Sequence, residues 1–177
     1  MPLTPFHTVL VWPLYVRWPR LWGLLALSLA AVMPDLEIVT VYPVLQTFES
    51  GRGVMHSVLG VLTVNLVLAV LAARYLVPWL AAHLERRYPG RGWRRFAGHD
   101  IVTDRKAWVV TIGCAVLGGL SHLAIDVFHH YDTPLLWPWR SIPIMAVPWG
   151  LDPLWNLGIE LAAGAAFFLM AWKWVGK

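Results

Sequence analysis

The sequence is short of charge, of cysteine and of side-chain amides. Asp, Glu, Lys and Arg supply 14% of its 177 residues while hydrophobic residues supply 58%, and the mean hydropathy is +0.59. So little charge cannot cover a water-facing surface, which excludes an ordinary soluble domain and makes the bilayer the default solvent. The single cysteine, Cys114, excludes an intramolecular disulfide or a redox pair and reads as a small packing residue in an apolar run. Asn occurs twice and Gln once, a scarcity that fits a heat-loving or a GC-rich source without separating the two. There is no internal repeat, low-complexity tract or Ser/Gly linker, so the chain is read as one domain, residues 1–177.

What is abundant is apolar length. Runs from Val54 to Leu80, Ala107 to Phe128 and Trp155 to Val175 each approach or exceed the roughly 20 residues that a helix needs to cross about 30 Å of hydrocarbon. Two shorter pieces precede them, Pro5 to Trp18 and Leu21 to Met33, separated by Arg17-Trp18-Pro19-Arg20. They read as a helical hairpin over 5–33, with Thr4 as N-cap, Pro5 as first helical residue, a turn near Pro19 and Pro34 at the exit. A cleaved signal peptide is the rival reading, but Pro13, Arg17 and Pro19 interrupt the apolar run and Met-Pro-Asp-Leu-Glu is a poor cleavage site. The expected fold is therefore all-α: a polytopic membrane bundle of three full transmembrane helices, 54–80, 107–128 and 155–175, plus the shorter N-terminal hairpin.

Lysine and arginine set the expected orientation. Nine lie between Ala81 and Lys106 or at the hairpin turn (Arg17, Arg20) and two at the C-terminus, eleven in all, against Arg52 and Arg140 in the other loops. The positive-inside rule then makes 81–106 a cytoplasmic loop and 129–153 an outer interfacial one, in a multi-pass plasma-membrane protein. The basic loop suits anionic lipid headgroups, with Trp93 and Trp108 as interfacial anchors. Topology already accounts for its charges, so no nucleic-acid partner is expected.

On that topology the metal-type residues gather at the outer end: His7, Asp35, Glu37, His56, His122, Asp126, His129, His130, Asp132 and Glu160. His122 and Asp126 are four apart and project from one helical face, able to hold the same cation. Ionisable groups at membrane depth are costly, face the bundle interior and mark function. Each also has an ordinary reading: a buried hydrogen-bonded pair for His122 with Asp126, a helix C-terminal contact for His129 and His130, a polar turn for Asp35, and solvation for Glu37. Asp152-Pro153 reads as an N-cap and first-turn pair. Small residues on the last two long runs, Gly113, Gly118 and Gly119 on one and Gly158, Ala162 and Gly164 on the other, predict that these two helices pack closely and bring Glu160 toward Asp126.

The stretches Gly118–Trp139 (GGLSHLAIDVFHHYDTPLLWPW), Met33–Glu37 (MPDLE) and Arg52–Gly60 (RGVMHSVLG) resemble the YdjM-like family of membrane-bound proteins regarded as metal-dependent hydrolases. Gly51 stands where that family has the first His of a His-Arg-Gly segment, and Glu37 replaces the second Asp of Pro-Asp-x-Asp. The order of the ligands is also similar, more distantly, to zinc-dependent phospholipase C and P1-type nucleases, with Asn156 where a His is expected. The resemblance implies metal ligands at Asp35, His56, His122 and Asp126, further ligands among His130, His129, Glu160 and His7, and one to three divalent ions, zinc being the best match to mixed His and carboxylate donors. The expected activity is hydrolysis of a phosphoester, lipid-linked or small, at the outer face, with a bound water acidified toward a pKa of about 7. Glu37 or Asp132 would take its proton, and Arg52 and Arg140 would contact the phosphate. Two other classes remain open: an ion or proton transporter, although the cytoplasmic halves of the spans offer almost no polar residues to continue such a path, Thr63, Asn65 and Thr111 being exceptions, and a catalytically silent metal-binding scaffold.

Overall fold

The computed structural model describes residues 4–17, 24–40, 52–90, 93, 105–130, 133–139 and 153–175. These are all-helical, with no strand among them. A 3-10 helix, Thr4–Leu10, leads into α1 (Trp12–Arg17); α2 (Leu24–Val32) and α3 (Leu36–Thr40) follow, then a 3-10 turn at Val54–His56. Three long helices complete the chain: α4 (Val58–Arg87), α5 (Arg105–His129) and α6 (Pro153–Val175). All three are long and apolar enough to cross a membrane. The expected hairpin turn near Pro19 and half of the basic loop fall outside the described residues.

The first span starts where Ser57 caps it: the Ser57 side chain accepts from the Gly60 amide at 3.0 Å, and the Val58 amide donates to the Leu135 carbonyl at 3.0 Å. Gly60 is required here, because a Cβ would run into the Val54 carbonyl. This fold-back fixes His56 immediately outside the helix end. Two π-helical turns, Val61–Asn65 and Ala72–Leu76, interrupt α4, a form of helix that collects at functional sites. The first of them ends on Asn65, whose amide nitrogen donates to the Ala30 carbonyl at 3.4 Å and so ties α4 to the end of α2.

The core is a seam of small residues. Ala30 and Ala31 of α2 meet Cys114 and Ala115 of α5, with Leu27, Val11, Met33 and Met55 around them. A Cβ on Gly118 would lie 2.5 Å from the Leu27 carbonyl and 2.8 Å from the Ala30 methyl. One on Gly119 would meet the Asn65 amide and Val61. Close approach therefore occurs, as small residues predict, but against α2 and α4. The expected packing of α5 along α6 is not what forms, since the glycine face of α5 is already occupied. Instead α6 lies on the N-terminal 3-10 helix, with Phe167 stacked on Trp12 at 5.7 Å. Its apolar span is only 6% buried against the rest of the protein, compared with 39% for α5, and Gly158 has nothing within 4 Å of an added Cβ.

Candidate metal centre

Four elements converge at one end of the bundle. The N-terminal 3-10 helix brings His7, the turn between α2 and α3 brings Asp35, the 3-10 turn before α4 brings His56, and the last turns of α5 bring His122 and Asp126. His56 and His122 are 0% exposed, Asp126 1%, His7 2% and Asp35 8%, a burial that demands strong partners.

The spacing of these groups is unusual for hydrogen bonds. His56 Nε2 lies 3.5 Å from Asp35 Oδ1 and 3.7 Å from Asp126 Oδ2, and His122 Nε2 lies 3.5 Å from Asp35 Oδ1 and 3.4 Å from Asp126 Oδ2. Hydrogen bonds between such atoms run to about 3.2 Å. His56 Nε2, His122 Nε2 and Asp126 Oδ2 accordingly find no hydrogen-bond partner among the described residues. Donor atoms around a tetrahedral zinc, about 2.0–2.2 Å from the ion, stand roughly 3.3–3.6 Å apart. The four histidine–carboxylate separations, four of the six edges of such a tetrahedron, fit that length within about 0.1 Å, so these donors suit a divalent ion.

Ring orientation points the same way. A carbonyl only accepts, so His122 Nδ1 carries the proton that it donates to the Ala31 carbonyl at 2.8 Å, and in the neutral ring Nε2 keeps its lone pair for the centre. His7 stacks on His122 with ring centroids 4.0 Å apart and an interplanar angle of 19°, and one of its nitrogens lies within 4.8 Å of the ligand atoms of His122 and Asp126. That grouping and the one formed by Asp35, His56 and His122 share His122. With Nδ1 engaged, His122 has one lone pair to give, so the two groupings compete for a single ion position.

Arg52 closes the cluster on one side. Its Nε is 3.5 Å from Asp126 Oδ2, and its Nη2 donates to His130 Nε2 at 3.0 Å. Arginine has no acceptor, so the His130 Nε2 lone pair is committed to Arg52 and not turned to the centre. Glu37 is also buried beside the cluster: its Oε2 accepts from the amides of Gly53 (2.9 Å) and Met55 (3.0 Å) and lies 3.2 Å from His56 Nδ1.

Glu160 lies half-buried on α6 and joins neither ligand grouping, because α6 packs on the N-terminal helix and not on α5. The side chain of His129, and Gly51, Asp132 and Arg140 entirely, lie outside the described residues. Sequence reasoning missed the backbone partners: the Ala31 carbonyl and the Gly53 and Met55 amides carry no side-chain signature, and only the fold-back at Gly60 hints that this turn is tight.

The family model of the YdjM inner membrane proteins matches residues 3–177. The chain belongs to that family. Neither a curated protein nor a solved structure gives a match. Like the family as its description names it, this YdjM chain is a membrane protein, with three apolar helices of spanning length and a buried His and Asp cluster at one end of them.

Proposed function

We propose that this YdjM protein is a membrane-embedded, metal-dependent hydrolase acting on phosphoesters, with one divalent ion, zinc by its donor set, held by Asp35, His56, His122 and Asp126. The observation that carries the reading is the quartet of donor atoms whose four histidine–carboxylate separations are 3.4 to 3.7 Å, three of the atoms being buried with no hydrogen bond among the described residues. Charge supports it. Buried Asp35, Glu37 and Asp126 face one buried cation, Arg52, leaving two negative charges if the imidazoles are neutral, the complement of a single divalent ion. His7 stands as a fifth donor in reach.

When bound, such an ion polarises the scissile group and acidifies a water. The chain's own residues do the rest. His122 and His56 present Nε2 to the centre, and burial excludes competing bulk water. Side-chain exposure within the cluster is greatest at His130 (15%) and Asp35 (10%), so a substrate approaches along that edge. There Arg52, bound to His130, offers the positive charge for a phosphoester anion. Asp132, two residues after His130 in the sequence, is the carboxylate we assign to take the proton that the acidified water loses. An outer-face orientation is supported by the basic residues at the ends of α4 and α5 far from the cluster.

A second reading is favoured by one observation: four protein ligands fill a tetrahedral zinc, the arrangement of structural sites, whereas catalytic ones keep a position open. Purified full-length protein in detergent, assayed for zinc and for hydrolysis of p-nitrophenyl phosphate and bis-p-nitrophenyl phosphate, separates the two. The hydrolase reading expects about one zinc per chain and turnover that falls at least about 100-fold in His122→Ala. Bound zinc with no turnover on either ester supports the structural site, and absence of bound metal overturns both.

A further inference from the structure

Glu37 makes three contacts through a single oxygen, and two of them are to backbone amides of the turn that carries both Arg52 and His56. We propose that Glu37 is a positioning residue that aims His56 at the ion and at the same time sets the turn that presents Arg52 to Asp126. This rests on the reading of the quartet as an ion site.

The geometry excludes several alternatives. Glu37 Oε2 already accepts from Gly53 and Met55, so the contact with His56 Nδ1 is one in which the ring donates. That proton fixes the tautomer and leaves Nε2 as the bare nitrogen facing Asp35 and Asp126. Held by three N–H groups, Oε2 is poorly placed to collect a proton from water. It has the position of the outer carboxylate that orients a ligating histidine and raises its basicity, whose loss costs such sites about 10–100-fold in metal affinity. The longer arm matters too. Glu37 reaches from the first turn of α3 to the 3-10 turn before α4, and an Asp there is one methylene shorter.

The coupling to Arg52 is geometric. Arg52 precedes Gly53, whose amide Glu37 holds at 2.9 Å, and its guanidinium lies against Asp126 and His130. Releasing the turn therefore loosens a ligand and the neighbouring cation together. The same carboxylate thus links ion affinity to the placement of the group expected to meet the substrate anion.

The test measures the zinc dissociation constant of the full chain in detergent by competition with a chelating dye, for wild type, Glu37→Ala and Glu37→Gln. Phosphoester turnover is read at saturating zinc. Glu37→Ala should bind zinc about 10–100-fold more weakly and, at saturating zinc, keep most of its kcat while KM for the phosphoester rises as Arg52 loosens. Glu37→Gln, whose amide oxygen accepts from the same N–H groups, should stay within about 10-fold of wild type. Imidazole 15N spectra should show His56 as a single Nδ1-protonated tautomer in wild type and as a mixture in Glu37→Ala. Should Glu37→Ala fail to fold, the Gln variant decides: turnover lost at saturating zinc makes Glu37 part of the reaction and overturns the proposal. Equal zinc affinity in wild type and Glu37→Ala overturns it as well and leaves the ion site standing. A wild-type chain that takes no zinc overturns the ion site and this role with it.

Discussion

At the scale of single residues, Asp126 is where the electrostatics of the cluster meet. Its Oδ2 lies 3.4 Å from His122, 3.5 Å from Arg52 and 3.7 Å from His56. Asp126→Asn keeps the volume but leaves the Arg52 guanidinium against a neutral amide in a buried site, and removing one partner of a buried pair costs about 3–5 kcal/mol. Thermal unfolding in detergent should show a marked fall in Tm for Asp126→Asn and partial recovery in Asp126→Asn with Arg52→Met, neither variant regaining zinc. Equal Tm in the two variants would mean that Arg52 does not depend on Asp126. The pairing of His122 with Asp126 was legible in the sequence because a four-residue spacing on a helix determines a shared face. His7 was reached through its membrane depth and the family resemblance alone, since a lone His near the start of a hairpin has no spacing that fixes its direction. Glu160 shows the converse: membrane depth and a helical spacing did not say which neighbour α6 would choose.

Helix by helix, hydropathy located the three spans well and their contacts poorly. Length and apolar content act along one chain segment, whereas packing depends on which small-residue face is filled first. α2, too short to cross a membrane comfortably, takes the Gly118 face of α5 and thereby delivers the Ala31 carbonyl to His122 Nδ1. A methyl at 118 must therefore push α2 away. Gly118→Ala, though remote from the ligands themselves, should weaken zinc binding about 10-fold or more by releasing His122, as loss of an outer hydrogen bond does. Gly158→Ala, with open space around its Cβ position, should leave zinc affinity and Tm unchanged. The same titration on both variants checks this, and an unaffected Gly118→Ala would show that α2 does not position His122. Gly119→Leu is expected to be harmful too, through Asn65 and Val61 of α4 and not through any approach of α6.

The molecule as a whole separates two kinds of charge along its long helices. The cluster sits where α4 begins and α5 ends, while Arg86 and Arg87 close α4 and Arg105 and Lys106 open α5. α4 has 30 residues, and at about 1.5 Å per residue its two ends are roughly 45 Å apart, more than the hydrocarbon thickness. On the proposed topology the basic end and the cluster end lie at opposite membrane faces, with the positive-inside rule and anionic inner-leaflet lipids placing the basic end inside. Buried Cys114 replaced by Ala gives a background for single cysteines. Leu136→Cys, at a 41% exposed site beside the cluster end of α4, and Tyr88→Cys, at a 53% exposed site just past Arg87, report the two faces. In intact cells a membrane-impermeant maleimide should label the first and not the second, with Tyr88→Cys labelled only after permeabilisation. The reverse pattern would put the ion site on the cytoplasmic face. A substrate would then have to come from the inner leaflet or the cytosol, with Arg52 and the donor quartet unchanged in their local chemistry.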